Sequence, residues 1–197
     1  MDALFHLRDM IASLDAPLVD DLCARARRRR NEALYAPNGA AAPGLDALAG
    51  AYATATTLGG RVQLLRPAYV QTLLPALCAP GEDDDRAGCL AADTACLNAL
   101  ARRLALSIHV ATRKREAIPE ALQAAIRSGD PIRVEQAITN AAIEADVLAR
   151  VEKRARKNDP PPGTSERIVA LYADWLIPLS RKIQVHGLLS NPPKPGP

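Results

Sequence analysis

Apolar residues recur along this chain at steps of three and four, the spacing that lines one face of an α-helix. Leu4, Leu7, Ile11, Leu14, Leu18 and Leu22 form one such stripe, which predicts a long amphipathic helix over residues 2–35 with a kink at Pro17. Leu97, Leu100, Leu104, Ile108 and Ala111 form a second, within a long helix over residues 92–116. Between the two, Ala, Gly and Pro dominate residues 36–50, which reads as a loop. Shorter helices are expected over 45–65 and 68–77, parted by "GGR" and by Pro67, and "APGEDDDRAG" then makes a polar turn. Beyond a turn at Pro119, helices are expected over 119–128 and 131–157, with Gly129 as a left-handed cap of the first and Asp130 as the N-cap of the second. "KNDPPPGTS" interrupts the pattern, a last helix runs over 165–189 with a kink at Pro178, and the Pro-rich residues 191–197 are expected to be a disordered tail. No period-two alternation marks a strand and no repeat is found. The expectation is an all-α, single-domain helical bundle over residues 1–190.

Composition narrows the class. A chain of 197 residues has the size of one domain with one sizeable core. Lys plus Arg number 25 and Asp plus Glu 22, a formal charge of +3 that gives little electrostatic pull towards a polyanion. Nucleic acid is therefore not expected as a partner. Hydrophobic residues make up 48% and aromatic ones only 3%, the apolar content being mostly Ala and Leu, strong helix formers. The longest uncharged stretch, residues 67–81, holds fifteen residues and three prolines, fewer than the ~18 apolar residues of a membrane-spanning helix, so no membrane partner is expected. Asp2, His6, Arg8 and Asp9 interrupt any apolar run after Met1, which reads as a cytoplasmic chain, or a secreted one only if a leader has been removed.

Several clusters invite a sharper reading and do not sustain it. Cys23, Cys78, Cys89 and Cys96 show no CxxC pair and no histidines at zinc spacing, and are read as buried thiols. Arg25 to Arg30 hold five arginines with few aromatics nearby to stack on bases, and read as a solvated helix end rather than a nucleic-acid contact. Asp83, Asp84 and Asp85 are adjacent rather than one helical turn apart, which does not suit magnesium chelation. His6, His109 and His186 lack plausible partners. No metal or other cofactor is called.

Candidate chemistry lies in polar residues on stripes expected to be buried. Arg103 and Lys114 are eleven residues apart, about 20° beyond three helical turns, so both project from one face. Asn140 and Glu144 are one turn apart, as are Ser180 and Gln184, and Arg8 interrupts the first stripe between Leu7 and Ile11. Together they offer cations, a carboxylate, amides and a hydroxyl on separate helices, a set that suits a small polar dianion inside a helical bundle. No activated nucleophile, cofactor fingerprint or phosphate loop accompanies them.

In the order "LRDMIASLDAPLVDDLCARA", "DTACLNALARRLALSIHVATRK", "ITNAAIEADVLARVEKRA" and "LYADWLIPLSRKIQVHGLL", the chain resembles the all-helical chorismate mutases, most closely those of fungi and plants. The resemblance implies a chorismate mutase domain over residues 1–190, and a homodimer with each site inside one subunit. It implies that Arg8 and Arg103 bind the two carboxylates of chorismate, that Lys114 and Gln184 meet the ether oxygen, and that Glu144 meets the ring hydroxyl. Asn140 matches the family's amide, and Ser180 a position near a substrate carboxylate. Gln184 departs from the glutamate of fungal and plant members and matches the bacterial choice. The region between Tyr35 and Cys78 is shorter than in fungal and plant members, where it holds much of the site for tryptophan or tyrosine as effectors; Gly88 and Cys89 fall near the family's effector loop. Rival readings are a catalytically inactive binding or secreted effector protein on the same scaffold, a helical nucleic-acid binder using Arg25 to Arg30, and isochorismate pyruvate lyase from the shorter bacterial branch.

Overall fold

The computed structural model describes residues 3–35, 41–116 and 120–190, and every regular element among them is helical. The order is α1 (Ala3–Ala26), α2 (Leu45–Thr54), α3 (Leu58–Ala68), α4 (Leu74–Leu77), α5 (Arg86–Glu116), α6 (Glu120–Ser128), α7 (Pro131–Ile138), α8 (Ala141–Lys157), α9 (Thr164–Leu171) and α10 (Ile177–Leu189). The Pro119 turn, residues 36–40 of the Ala- and Gly-rich loop, and the tail at 191–197 lie outside the described residues.

The stripes read from the sequence build the core. α5, 31 residues long, packs against α1, α3 and α10, while α8 lies against α1 and α9. Leu18 and Leu22 of α1 meet Leu97, Leu100 and Leu104 of α5 in one apolar cluster that continues through Ile168, Leu179 and Ile183. A smaller cluster joins Ala111 of α5 to Leu122, Ile126, Val134, Ile138 and Leu188. Amphipathic helices of this length gain most of their stability from such burial rather than from intrinsic propensity.

Several expected boundaries move, each for a local reason. α1 runs unbroken through Pro17 but ends at Ala26, not Tyr35. Arg25 is fully buried rather than solvated, which corrects the expected exposed helix end. Its Nε donates to Asp93 Oδ1 at 2.6 Å, and its Nη atoms donate to the carbonyls of Arg29 (2.9 Å) and Arg30 (3.2 Å). A buried guanidinium needs this full set of partners, and taking two backbone carbonyls folds the chain away from the helix axis. Asn31 then adopts φ 53°, the left-handed region that asparagine tolerates. The other arginines are tied down too: Arg27 donates to the carbonyls of Asn158 and Asp159, and Arg28 pairs with Asp85 at 2.7 Å. Asp85 also accepts from Gly88 N at 2.9 Å, which starts α5 earlier than the apolar stripe indicates.

The break between α2 and α3 falls at residues 55–57, not at "GGR", because the Thr57 hydroxyl caps α3 by accepting from Gly60 N at 3.1 Å. The helix expected over 131–157 is two, α7 and α8, parted by Thr139 and Asn140 in extended conformation. Pro75 and Pro178 sit inside helical runs, and each follows one π turn, Tyr69–Leu73 and Tyr172–Leu176. Leu74 N donates to Tyr69 O and Ile177 N to Tyr172 O, five residues back. This wider turn lets the chain continue where a proline ring would meet an α-helical carbonyl.

Candidate functional site

A pocket of about 170 Å³ opens where the two apolar clusters meet, with Ile138 from the smaller and Val147 and Ile177 from the larger in its walls. Arg103, Lys114, Asn140, Glu144, Ser180 and Gln184 all line it. The structure thus gathers residues from α5, α8 and α10, and the residue between α7 and α8, around one space. Arg8 lies in α1, but its side chain falls outside the described residues.

Arg103 is 4% exposed, and its Nε donates to Asp15 Oδ1 at 2.6 Å. Tyr172 donates to the same oxygen at 3.3 Å. Burial, reinforced by the charge of Asp15, pushes the Tyr172 phenol well above its ordinary value and keeps it a donor. Arg103 Nη1 is buried without a hydrogen-bond partner, a donor left over in the wall of a pocket.

Lys114 Nζ donates to Gln184 Oε1 and to the carbonyl of Ile138, each at 3.0 Å. An ammonium has only donors, so it selects the carbonyl end of the Gln184 amide and leaves the NH₂ as a second donor beside it. That NH₂ donates to Ser180 O at 3.2 Å, and the Ser180 hydroxyl is bonded to Ser107 Oγ at 2.8 Å. Asn140 has a local duty as well. Its Oδ1 accepts from Ile143 N at 3.1 Å and caps α8, placing Glu144 in the first turn of that helix.

Further polar residues belong to this site or its support. Arg181 lines the pocket and donates from Nη1 to Glu144 Oε1 (3.1 Å) and Oε2 (3.2 Å), with Nε 3.4 Å from Glu135 Oε1. Arg150 lines the pocket from an exposed position on α8, and Asp15 stands behind Arg103. The signal for Asp15 is a carboxylate on a buried stripe, four residues after Ile11 and three before Leu18. Arg181 follows Ser180 directly and shares no helical repeat with it, so pair spacing passes over it.

Among the described residues the pocket wall carries Arg103, Lys114, Arg150 and Arg181 against one carboxylate, Glu144, with Asp15 paired to Arg103 and Glu135 beside Arg181. This excess of cations suits an anionic ligand, with polar donors converging at Lys114 and Gln184 between apolar walls. Among the described residues no group of three or more His, Cys, Asp or Glu side chains could hold a metal ion. The four cysteines are buried and free.

No protein-family model matches the chain. It is 31% identical to a chorismate mutase of Emericella nidulans over 146 residues, which are 66% of this chain and 55% of that protein. It is 27% identical to the cytosolic chorismate mutase 2 of Zea mays across 95% of each. In structure it matches the chloroplast chorismate mutase of Zea mays with a TM-score of 0.76 at 22% identity, covering 93% of both chains. The chorismate mutase of Candida albicans in complex with L-Trp matches with a TM-score of 0.73 at 21% identity, over 94% of this chain and 90% of that one. The fold is that of the all-helical chorismate mutases. The chain is a homologue of the fungal and plant proteins of that class. It spans about half the length of the E. nidulans, petunia and Schizosaccharomyces pombe proteins that it matches.

Proposed function

We propose that this chain is a chorismate mutase, an isomerase that converts chorismate to prephenate in the synthesis of aromatic amino acids. The observation that carries this reading is the Lys114–Gln184 pair in a cation-rich pocket, in a chain homologous to chorismate mutases. The reaction is a [3,3] sigmatropic shift: the ether C–O bond breaks as a C–C bond forms within one molecule. No proton or electron leaves the substrate, so the chemistry requires no cofactor.

The protein's task is to select a conformer and to meet developing charge. Arg103, through its unpartnered Nη1, binds one substrate carboxylate, with Ser180 nearby; the family resemblance assigns the other to Arg8. Held at both ends, the enolpyruvyl group lies over the ring in a near-attack geometry. Lys114 Nζ and the Gln184 NH₂ donate to the ether oxygen as it gains negative charge, an interaction stronger in the transition state than in the ground state. Glu144 accepts from the ring hydroxyl, and Asn140 sets the start of α8 beneath it.

Residues 1–190 are the catalytic unit in this reading and 191–197 are dispensable. A homodimer is proposed from the family resemblance, and light scattering on the purified chain tests it. A cytoplasmic location rests on the cytosolic maize relative and would be checked by fractionation. The Candida relative was crystallised with L-Trp; here the shortened region between Tyr35 and Cys78 leads us to expect no response to tryptophan or tyrosine. A several-fold rate change on titrating either at sub-saturating chorismate would contradict that. The activity itself is tested by adding purified protein to chorismate and following loss of its absorbance. Prephenate as the sole product supports the reading, and unchanged chorismate overturns it.

A further inference from the structure

Glu144 is the only carboxylate among the described residues that line the pocket, and it is held by another of them. Arg181 of α10 directs Nη1 at both of its oxygens, at 3.1 and 3.2 Å, while Nε of the same guanidinium is 3.4 Å from Glu135 of α7. That Nε is buried without a hydrogen bond, so the second contact is a charge contact with Glu135. One planar group thus spans α7, α8 and α10, next to Ser180 and three residues before Gln184.

We propose that Arg181 is a positioning residue that aims the Glu144 carboxylate at the substrate's ring hydroxyl and thereby sets selectivity for a hydroxylated ring; this rests on the chorismate mutase reading above. A partly exposed glutamate samples several rotamers, and an acceptor that must first be ordered discriminates weakly. A carboxylate held by arginine still has lone pairs to spare, so Glu144 accepts from the hydroxyl without releasing Arg181. A site built around such a bond penalises a ligand lacking the hydroxyl, because the acceptor is then left unpaired. Lysine at 181 would keep the charge but not the planar fork that faces two carboxylates at once.

The test compares kcat/KM for chorismate with kcat/KM for an analogue lacking only the ring hydroxyl. Native protein, Arg181→Ala, Arg181→Lys, Glu135→Gln and Glu144→Ala are each measured with both substrates. Native protein is expected to prefer chorismate, and Arg181→Ala to shrink that preference about ten-fold or more, the loss of one hydrogen bond to a charged group. Arg181→Lys is expected to recover part of it, and Glu135→Gln to lose a smaller part. A role in stability alone slows both substrates equally, so an unchanged preference in Arg181→Ala overturns the proposal. Should Arg181→Ala not fold, an unchanged preference in both Arg181→Lys and Glu135→Gln does the same. Glu144→Ala losing the preference while the Arg181 variants keep it defeats this proposal alone. Native protein inert towards both substrates defeats the activity and the proposal together.

Discussion

Replacing Arg103 by alanine removes a guanidinium that is 4% exposed from a carboxylate, Asp15, that is 5% exposed. Nothing else among the described side chains offers Asp15 a positive charge within pairing distance, and its Oδ2 already lacks a hydrogen bond. Among the described residues only the Tyr172 hydroxyl, at 3.3 Å, would remain to the buried anion. Breaking a buried pair in this way costs about 3–5 kcal/mol, a large share of the ~5–15 kcal/mol by which domains are stable. For a chain of this size that is a fall in Tm of roughly 6–20 °C. Turnover should fall at least ~10²-fold through loss of a substrate donor. The double variant Arg103→Ala with Asp15→Asn separates the two effects, since asparagine keeps an acceptor for Tyr172 without the charge. It should regain most of the lost Tm and none of the lost turnover. The assays are thermal melting by circular dichroism and chorismate consumption well below every Tm. A single variant that melts within a degree or so of native would refute the structural part. A double variant that regains activity would refute contact between Arg103 and the substrate.

Other outcomes follow from neighbouring groups. Lys114→Ala deletes one of the two donors proposed for the ether oxygen and should lower turnover at least ~10²-fold; near-normal activity in the folded variant would contradict its role. Gln184 does not titrate, so native turnover should stay roughly flat between about pH 5 and 8. Gln184→Glu should confine activity to the acidic side, because the ionised side chain is acceptor-only and would face the ether lone pairs; matching profiles would show that residue 184 does not touch the ether oxygen. Burial pushes the Cys78 thiol up to about 11 and raises Cys23 and Cys96 as well. At pH 8 these thiols are protonated and shielded, so a thiol reagent should label them slowly in native protein and all four cysteines rapidly in denaturant; fast labelling of the native fold would contradict their burial.

The helical core was legible because burial imposes a period that the eye can follow: Leu97, Leu100 and Leu104 announce α5 without further information. The shared face of Arg103 and Lys114 was equally legible, being a property of one helix. Partners across helices were not. Arg25 falls three residues after Leu22 on the α1 stripe, yet its buried state depends on Asp93, Tyr35 and Cys78, which only the fold brings near. Asn140 was read as a ligand and is also the cap that divides α7 from α8, a signal masked by helix formers on both sides. The π turns before Pro75 and Pro178 have no sequence signature beyond the prolines, since packing rather than propensity lets the helical run continue.

The most direct measurement is a crystal structure with a stable bicyclic dicarboxylate that mimics the rearranging conformer of chorismate. It should occupy the pocket between α5, α8 and α10, with its ether oxygen within roughly 2.7–3.2 Å of Lys114 Nζ and the Gln184 NH₂. One carboxylate should lie on Arg103 and the ring hydroxyl on Glu144. A ligand bound elsewhere, or bound there with its ether oxygen away from Lys114 and Gln184, would show that this pocket does not catalyse the rearrangement as proposed.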